Sequence, residues 1–231
     1  MTLHLLSAGA AQGLARAIEP AFTAETGVAL SAHFGAVGAM QQLFDAGEAC
    51  DVIVLTAALI DALAAVGAVR GETRATLGRV RTGVAVRADD AAPDVSTANA
   101  LRAALLAADA IFVPDTERST AGIHIAKVLR ELGIDADVRA RLRTFPNGAT
   151  AMRELAASMS SKAIGCTQHT EILYTSGVRL VAALPQQFEL ATEYVAAVTA
   201  RAADAALAAR FVDALAGADA QTLRTAGGFE A

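Results

Sequence analysis

The order of apolar and polar positions along the chain predicts strands that alternate with helices. Short apolar runs at 3–8, 28–35 and 50–56 are typical of strands. A segment with apolar residues at helical spacing follows each of these strands, and the three predicted helices cover 11–27, 38–47 and 57–69. Parallel sheets are built from this β-α-β order, so the first part of the chain predicts a parallel α/β sheet.

The second part of the chain shows the same alternation. Its predicted strands are 110–115, 141–146, 163–168 and 177–184, and its predicted helices are 98–108, 120–133, 147–159 and 202–217. Two extended segments, 80–89 and 191–200, are predicted as crossings between the two parts. The pattern therefore predicts two α/β lobes, residues 1–79 with 195–231 and residues 80–194, followed by a short C-terminal tail.

Composition narrows the class of partner. The 231 residues are 54% hydrophobic with no tryptophan and two tyrosines, which suits helices packed closely against a sheet. A net charge of −5, no basic run and few aromatic residues exclude nucleic acid as an expected partner. A bound anion would therefore have to be held by local donors.

The two cysteines, Cys50 and Cys166, predict neither a metal site nor a cofactor site. They lie far apart and belong to no Cys-x-x-Cys or Cys/His ligand spacing. A disulfide in an oxidising compartment is one interpretation, and two free buried thiols are the favoured one.

The N-terminal residues decide the expected location. "MTLHLLSAGA" has no basic region, no small-residue cleavage site and too short an apolar run to span a bilayer. We expect a cytoplasmic protein from the chain as it stands, and a periplasmic one if this is a mature form whose leader has been removed.

The segment "RSTAGIHIAKVLRELG" places one arginine and two hydroxyls just before an amphipathic helix. Arg118, Ser119 and Thr120 would complete a cradle for an anion, because a helix N-terminus exposes unpaired N–H groups and the positive end of the helix dipole. The alternative is an ordinary N-cap with a solvated arginine.

Five segments give the chain a resemblance to a known family over nearly its whole length. They are "LLSAGAAQGLARAIEPAFTAETG", "FGAVGAMQQLFDAGEACDVIVLTA", "DTERSTAGIHIAKVLRELG", "AIGCTQHTEILYTSGVRLVA" and "LRTAGGF". In order and spacing the chain resembles the molybdate-binding proteins of bacterial ABC importers and the aconitate-isomerase-like members of that family. The resemblance implies an α/β, two-lobed type II periplasmic-binding-protein fold. Each lobe would be a mainly parallel sheet flanked by helices, with two hinge crossings and an interlobe ligand cleft.

The resemblance also implies which ligand to doubt. Molybdate binders hold the oxyanion with a serine from each of the first two loops, with backbone N–H groups and with a tyrosine of the second lobe. The matching positions here are Ala10, Val37 and Gln168. Since each unsatisfied oxygen costs about 1–3 kcal/mol in a closed site, we expect molybdate to bind weakly or not at all.

The residues available instead suit a small organic anion. The candidate ligand-binding residues are Ser7, Gly9, Ala10, Gly35, Val37, Arg118, Ser119, Thr120, Ala121, Gly148, Ala149, Thr167 and Gln168. One guanidinium fork with several neutral donors favours a di- or tricarboxylate. Ser7 has the alternative role of a strand-end hydroxyl, and Thr167 that of a residue packed on the sheet.

Two classes of function follow from this set. A solute-binding protein would deliver the anion to the permease of an ABC importer if the chain is secreted. An enzyme similar to aconitate isomerase would move a double bond by a 1,3-proton transfer, with His169 as the candidate catalytic base and a structural hydrogen bond as the alternative role for His169. We expect His33 at the edge of the core, His124 solvated or packed on its helix, and Glu171 in a first helical turn, where a carboxylate favours the start of a helix. A protein-binding scaffold is a third class, for which the sequence contains no motif.

Overall fold

The computed structural model describes residues 2–231, which form two compact units. Unit 1 consists of the residues up to Val80 together with Thr192–Ala231, and unit 2 consists of Arg81–Ala191. The chain therefore passes from one unit to the other twice. The hinge motion that the two-lobe pattern implies stays a prediction.

Unit 1 begins with three strand-helix pairs. These are β1 (Thr2–Ala8), α1 (Gln12–Thr26), β2 (Ala29–Gly35), α2 (Val37–Asp45), β3 (Val52–Thr56) and α3 (Ala57–Ala65). Strand β4 (Ala75–Arg87) leads from unit 1 into unit 2.

Unit 2 continues from the second half of β4. Its remaining elements are α4 (Ala98–Ala107), β5 (Ala110–Pro114), α5 (Thr120–Glu131), α6 (Asp135–Val138), β6 (Leu142–Phe145), α7 (Gly148–Ala157), β7 (Ala163–Gln168), α8 (His169–Tyr174) and β8 (Val178–Ala183). The chain returns to unit 1 through β9 (Ala191–Val198) and ends with α9 (Ala205–Ala216) and α10 (Gln221–Ala226).

The sheet of unit 1 has the order β2-β1-β3-β9. Strand β1 pairs in parallel with both β2 and β3, whereas β9 pairs antiparallel with β3. Helices α1 and α9 pack together through Phe22 and Phe211, whose rings meet edge to face with centroids 4.9 Å apart. One apolar core, which includes the fully buried strand residues Leu5, Leu6 and Ile53, holds this unit together.

In unit 1, the buried carboxyl group of Asp51 connects the amino ends of β1 and β3, at the edge of the sheet away from the helix starts. Asp51 accepts hydrogen bonds from the backbone N–H groups of His4 and Ala203, both at 2.8 Å. The same side chain therefore joins the beginning of β1, the beginning of β3 and the approach to α9. Such a buried carboxylate is tolerated because its oxygens are paired.

The sheet of unit 2 has β5 between β6 and β7, with both neighbours parallel to it. Strand β4 pairs antiparallel with β7 on one side and with β8 on the other. Apolar residues cover both faces of this sheet, in two clusters that include Ile111 and Val113 on one face and Phe112 and Met152 on the other. Successive side chains of β5 therefore enter opposite cores, as expected for a strand that is buried on both faces.

Most predicted elements are present, and three short ones were missed. The structure adds α6, α8 and α10, which have four or six residues each and leave little periodicity in the sequence. The predicted tail from residue 223 is in part helix α10. The α/β class is confirmed, and each sheet combines parallel central strands with antiparallel crossing strands.

Cys50 and Cys166 are free and buried, as the favoured interpretation expected. Burial raises the pKa of each thiol to about 12. Among residues 2–231, none of the helices combines the length and the apolar character needed to cross a bilayer.

Candidate functional site

Five predicted ligand-binding residues lie where two neighbouring parallel strands of unit 1 end. They are Ser7, Gly9, Ala10, Gly35 and Val37, and we call them the unit 1 cluster. Ala8 pairs with Gly35 in the parallel ladder of β1 and β2, so the two strand ends lie side by side. Helices α1 and α2 begin directly after these ends. The carboxyl edge of a parallel sheet is where α/β proteins place their ligands.

The side chains of the unit 1 cluster offer one hydroxyl. Ser7 is fully buried and donates that hydroxyl to the carbonyl oxygen of Ala8 at 3.0 Å, which is the local bond of a strand-end serine. Ala10 and Val37 are buried and aliphatic. Within residues 2–231, the starts of α1, α2 and α3 have no side-chain cap. Backbone N–H groups are therefore the donors at this edge of unit 1.

The other nine predicted residues lie at the matching edge of unit 2. They are Arg118, Ser119, Thr120, Ala121, Gly148, Ala149, Thr167, Gln168 and His169, and we call them the unit 2 cluster. Because β5, β6 and β7 run parallel, their carboxyl ends meet at one edge, and α5, α7 and α8 start there. The sequence segments are thus brought to one edge, although their side chains have different partners.

Arg118 is held by its neighbour Asp115. The Nε and Nη2 atoms of Arg118 both lie 2.9 Å from Oδ2 of Asp115, and the Arg118 side chain is 56% exposed. Oδ1 of Asp115 accepts the backbone N–H groups of Glu117 and Arg118. These contacts lower the pKa of Asp115, first through the N–H of Glu117 and also through Arg118. The free guanidinium that the sequence suggested is therefore an ion pair, and a ligand carboxylate has to compete with Asp115.

The ion pair lines an open cavity of about 370 Å³. Its walls come from residues 115–118, after β5, and from residues 144–146, at the end of β6. The cavity thus lies on the β6 side of β5. Thr167 and Gln168 are the last two residues of β7, on the other side of β5.

Ser119 is the N-cap of α5, as the plainer interpretation of this segment proposed. Its hydroxyl oxygen accepts the N–H of Gly122 at 3.5 Å, and Ser119 is buried. Thr120 is the first helical residue, and Ala121 is buried. Gly122 is needed because a side chain there would overlap the backbone carbonyl of Asp115. The turn after β5 is therefore tight, and it brings the first N–H groups of α5 close to the strand end.

A buried carboxyl group joins the starts of α7 and α8. Glu171 accepts the backbone N–H of Gly148 at 3.1 Å and the hydroxyl of Thr167 at 2.5 Å. Burial raises the pKa of the Glu171 carboxyl group, whereas the nearby backbone groups of Ala149 and Gln168 act with these bonds to lower it. Glu171 is 5% exposed. It is not among the predicted site residues, because a glutamate in a first helical turn ordinarily does no more than favour the start of that helix. Thr167 is bonded to it rather than only packed on the sheet.

Gln168 is the last residue of β7, and His169 is the first residue of α8. Gln168 is buried and lies opposite Thr82 in the β4–β7 ladder. The His169 ring lies against Gly83 of β4, where an added Cβ would come within 2.5 Å of the ring Nε2. Thr82 itself is buried, and its hydroxyl has no hydrogen-bond partner within residues 2–231. The polar side chains of Thr82, Gln168 and His169 thus lie near the end of β7, where it pairs with β4.

The remaining candidate groups have local roles. The Nε2 atom of His124 lies 2.7 Å from the carbonyl oxygen of Phe188, and His33 is exposed on β2. Among residues 2–231, no three His, Cys, Asp or Glu side chains lie close enough together to hold a metal ion. The groups present at the two edges are backbone N–H groups and hydroxyls, together with the Gln168 amide, the Arg118 guanidinium, the His169 ring and the Glu171 carboxyl group of unit 2.

The buried Glu171 makes the stability of the fold depend on pH. Burial raises the pKa of Glu171, and the hydrogen bonds from Thr167 and Gly148 lower it in part. Above the ordinary pKa of 4.5, the unfolded chain loses the proton before the folded one does, so the free energy of unfolding falls as pH rises through the folded pKa. We expect Glu171→Gln, which has no proton to lose, to become more stable relative to the parent as pH rises. Urea unfolding of both proteins, from below pH 4.5 upward, measures the difference between their free energies of unfolding. Plots of these free energies against pH that run parallel for the two proteins would contradict the expectation.

Two α/β units, each with small and polar residues at the carboxyl ends of parallel strands, define a ligand-binding protein of the α/β class. The chain belongs to the family of bacterial extracellular solute-binding proteins, because the family model matches residues 3–230.

Known relatives and solved structures support this assignment. An aconitate isomerase from Pseudomonas sp. is 28% identical over 228 residues, which are 95% of this chain and 84% of that protein. The periplasmic molybdate-binding protein of Azotobacter vinelandii is 18% identical, covers 99% of both chains and gives a TM-score of 0.79. The sulfate-binding protein of Mycobacterium tuberculosis H37Rv is 19% identical over 99% of this chain and 86% of that one, with a TM-score of 0.75. The chain thus has the type II periplasmic-binding-protein fold.

Proposed function

We propose that this chain binds a small organic polycarboxylate, as a solute-binding protein of its family. The observation that carries the proposal is the chemistry at three positions: Ala10 and Val37 are buried aliphatic residues at the strand ends of unit 1, and Gln168 is a buried amide at the end of β7. A tetrahedral dianion finds no hydroxyl at any of the three. Carboxylate groups need fewer donors per group and are matched by backbone N–H groups, an amide and an arginine.

The partner in this function is the permease of an ABC importer, and the place of action is the periplasm. The description of the family as extracellular supports this location. The molybdate- and sulfate-binding proteins that share the fold support an anionic ligand.

The ligand is identified by calorimetry with a panel of anions. We expect citrate, cis-aconitate, trans-aconitate or tricarballylate to bind more tightly than molybdate, tungstate, sulfate or phosphate. A submicromolar dissociation constant for molybdate would overturn the proposal, since it would mean that backbone donors alone satisfy the oxyanion.

Arg118 supplies a second test, because Asp115 competes for its guanidinium. We expect Arg118→Leu to weaken binding of the best carboxylate by about 1.5–3 kcal/mol, and Arg118→Lys to recover part of the loss without the planar fork. Asp115→Asn keeps an acceptor for the turn and removes the competing charge, so it should strengthen binding. Arg130→Leu, at an exposed position in the last turn of α5, is the control. Unchanged affinity in both Arg118 variants would remove this residue from the site.

A second candidate function is an isomerase of an unsaturated tricarboxylate, which the identity to aconitate isomerase favours. In the 1,3-proton transfer a base takes a proton from the carbon next to one carboxylate, the double bond moves, and a proton returns to the far carbon of the three-carbon unit. We propose His169 as the base, since its ring lies at the end of β7 beside Gln168. Incubation of the parent with each aconitate isomer in D₂O, followed by NMR, should show exchange and interconversion that His169→Gln loses while it still binds. Binding without exchange in the parent would leave the solute-binding function alone.

A further inference from the structure

We propose that the carboxyl group of Glu171 occupies the N-terminus of α7 and thereby keeps inorganic dianions from binding there. Glu171 is then a specificity-determining residue that lies beside the unit 2 cluster and is bonded to two of its members, Gly148 and Thr167. This inference rests on the proposed function in one respect, that the ligand is an anion.

The geometry places the carboxyl group where an external anion would have to bind. Helix α7 has ten residues, and its first N–H groups have no partner inside the helix. One of them, from Gly148, is donated to Glu171 at 3.1 Å. Asn147 is the N-cap of α7, and its side-chain oxygen accepts the N–H of Thr150 at 2.8 Å. Two of the donors that make a helix start attractive to an anion, those of Gly148 and Thr150, are therefore already used.

The fit between the carboxyl group and the helix depends on glycine. A Cβ on Gly148 would overlap both the Glu171 carboxyl group and the Thr167 hydroxyl. The Thr167 hydroxyl donates to the second carboxyl oxygen, so both oxygens are engaged. Three residues from three segments, Gly148, Thr167 and Glu171, thus form a closed arrangement with no space for a sulfate-sized ion.

This arrangement has a direct effect on selectivity. A tetrahedral dianion gains most from many N–H donors, and the loss of those at α7 adds to the absence of a hydroxyl at Gln168 in the same unit. A carboxylate ligand needs fewer donors and can be held at α5 and by Arg118. The protein's own carboxyl group therefore biases the site against oxyanions whether or not it carries a proton, because either form accepts the Gly148 N–H.

The experiment compares Glu171→Ala with Glu171→Gln. The alanine variant releases the α7 donors and leaves a space that formate fits, whereas glutamine keeps an oxygen on those donors. We expect formate to raise the melting temperature of the alanine variant and not that of the parent, and sulfate affinity to rise by about tenfold or more in the alanine variant. Glu171→Gln should keep the parent's response to both ions. Glu154→Ala removes an exposed carboxylate from α7 without touching its first turn, and this variant is the matched control.

The possible outcomes separate this inference from the proposed function. A folded alanine variant that gains neither formate nor sulfate binding overturns the inference, and so does an equal gain in the glutamine variant. If the alanine variant does not fold, Glu171→Ser takes its place, and the glutamine variant still tests the donor argument. A parent that binds no polycarboxylate refutes the proposed function, and the sulfate and formate titrations of the variants still decide the role of Glu171.

Discussion

Gly148→Ala is expected to lower the free energy of unfolding by about 2–3 kcal/mol, a large loss for one methyl group. The added Cβ would overlap the carboxyl group of Glu171 and the hydroxyl of Thr167, both of which are buried and hydrogen-bonded to each other. Relief requires the carboxyl group to withdraw from the Gly148 N–H, which leaves a buried donor unpaired as well as straining the packing.

Chemical denaturation of the parent and the variant measures this loss. The control is Gly71→Ala, because the nearest atom to its added Cβ is 3.9 Å away, at ordinary contact distance. The control should stay within about 0.5 kcal/mol of the parent. Equal stability of Gly148→Ala and Gly71→Ala would show that Glu171 does not lie against the helix start as described.

Phe211→Ala is expected to lower the free energy of unfolding by about 3–5 kcal/mol. Phe211 is fully buried on α9, and its ring meets that of Phe22 on α1 edge to face. Its removal leaves a cavity between two helices and also ends the aromatic contact. Leu223→Ala, on the 44% exposed side chain of α10, is the control and should cost far less. A loss below about 1 kcal/mol for Phe211→Ala would mean that the two helices can close the gap.

The strands and longer helices were predictable because burial leaves a period in the sequence. Strand β7 was predicted with its observed bounds, since residues 163–168 are all buried and a serine-rich polar segment precedes them. Helix α5 was predicted from its apolar stripe, and its N-cap from Ser119. The candidate site residues came from the resemblance to molybdate-binding proteins, and the rule that α/β sheets bind ligands at the carboxyl ends of their strands gives the same location.

Partnerships between distant residues could not be predicted in this way. Glu171 and Gly148 are 23 positions apart, and no spacing rule connects a residue in a short helix with the start of another helix. The six residues of α8 are too few to show a helical period. The Asp115–Arg118 pair left a local signal, since an aspartate three residues before an arginine in a turn accepts nearby N–H groups. The prediction that Arg118 binds a ligand carboxylate did not take the neighbouring Asp115 into account.

The discontinuity of unit 1 in sequence affects the order in which the protein is made. Unit 2 is one continuous segment, so every strand of its sheet has been synthesised before β9 is. Strand β3 gains its antiparallel partner β9 only after that, together with α9 and the Ala203 N–H that Asp51 accepts. During translation the apolar edge of β3 therefore waits unpaired until the chain has passed through the whole of unit 2. Long-range closure of this kind is slow and exposes strand edges to other chains, so a ribosome that stalls before β9 would release a chain prone to aggregate through unit 1.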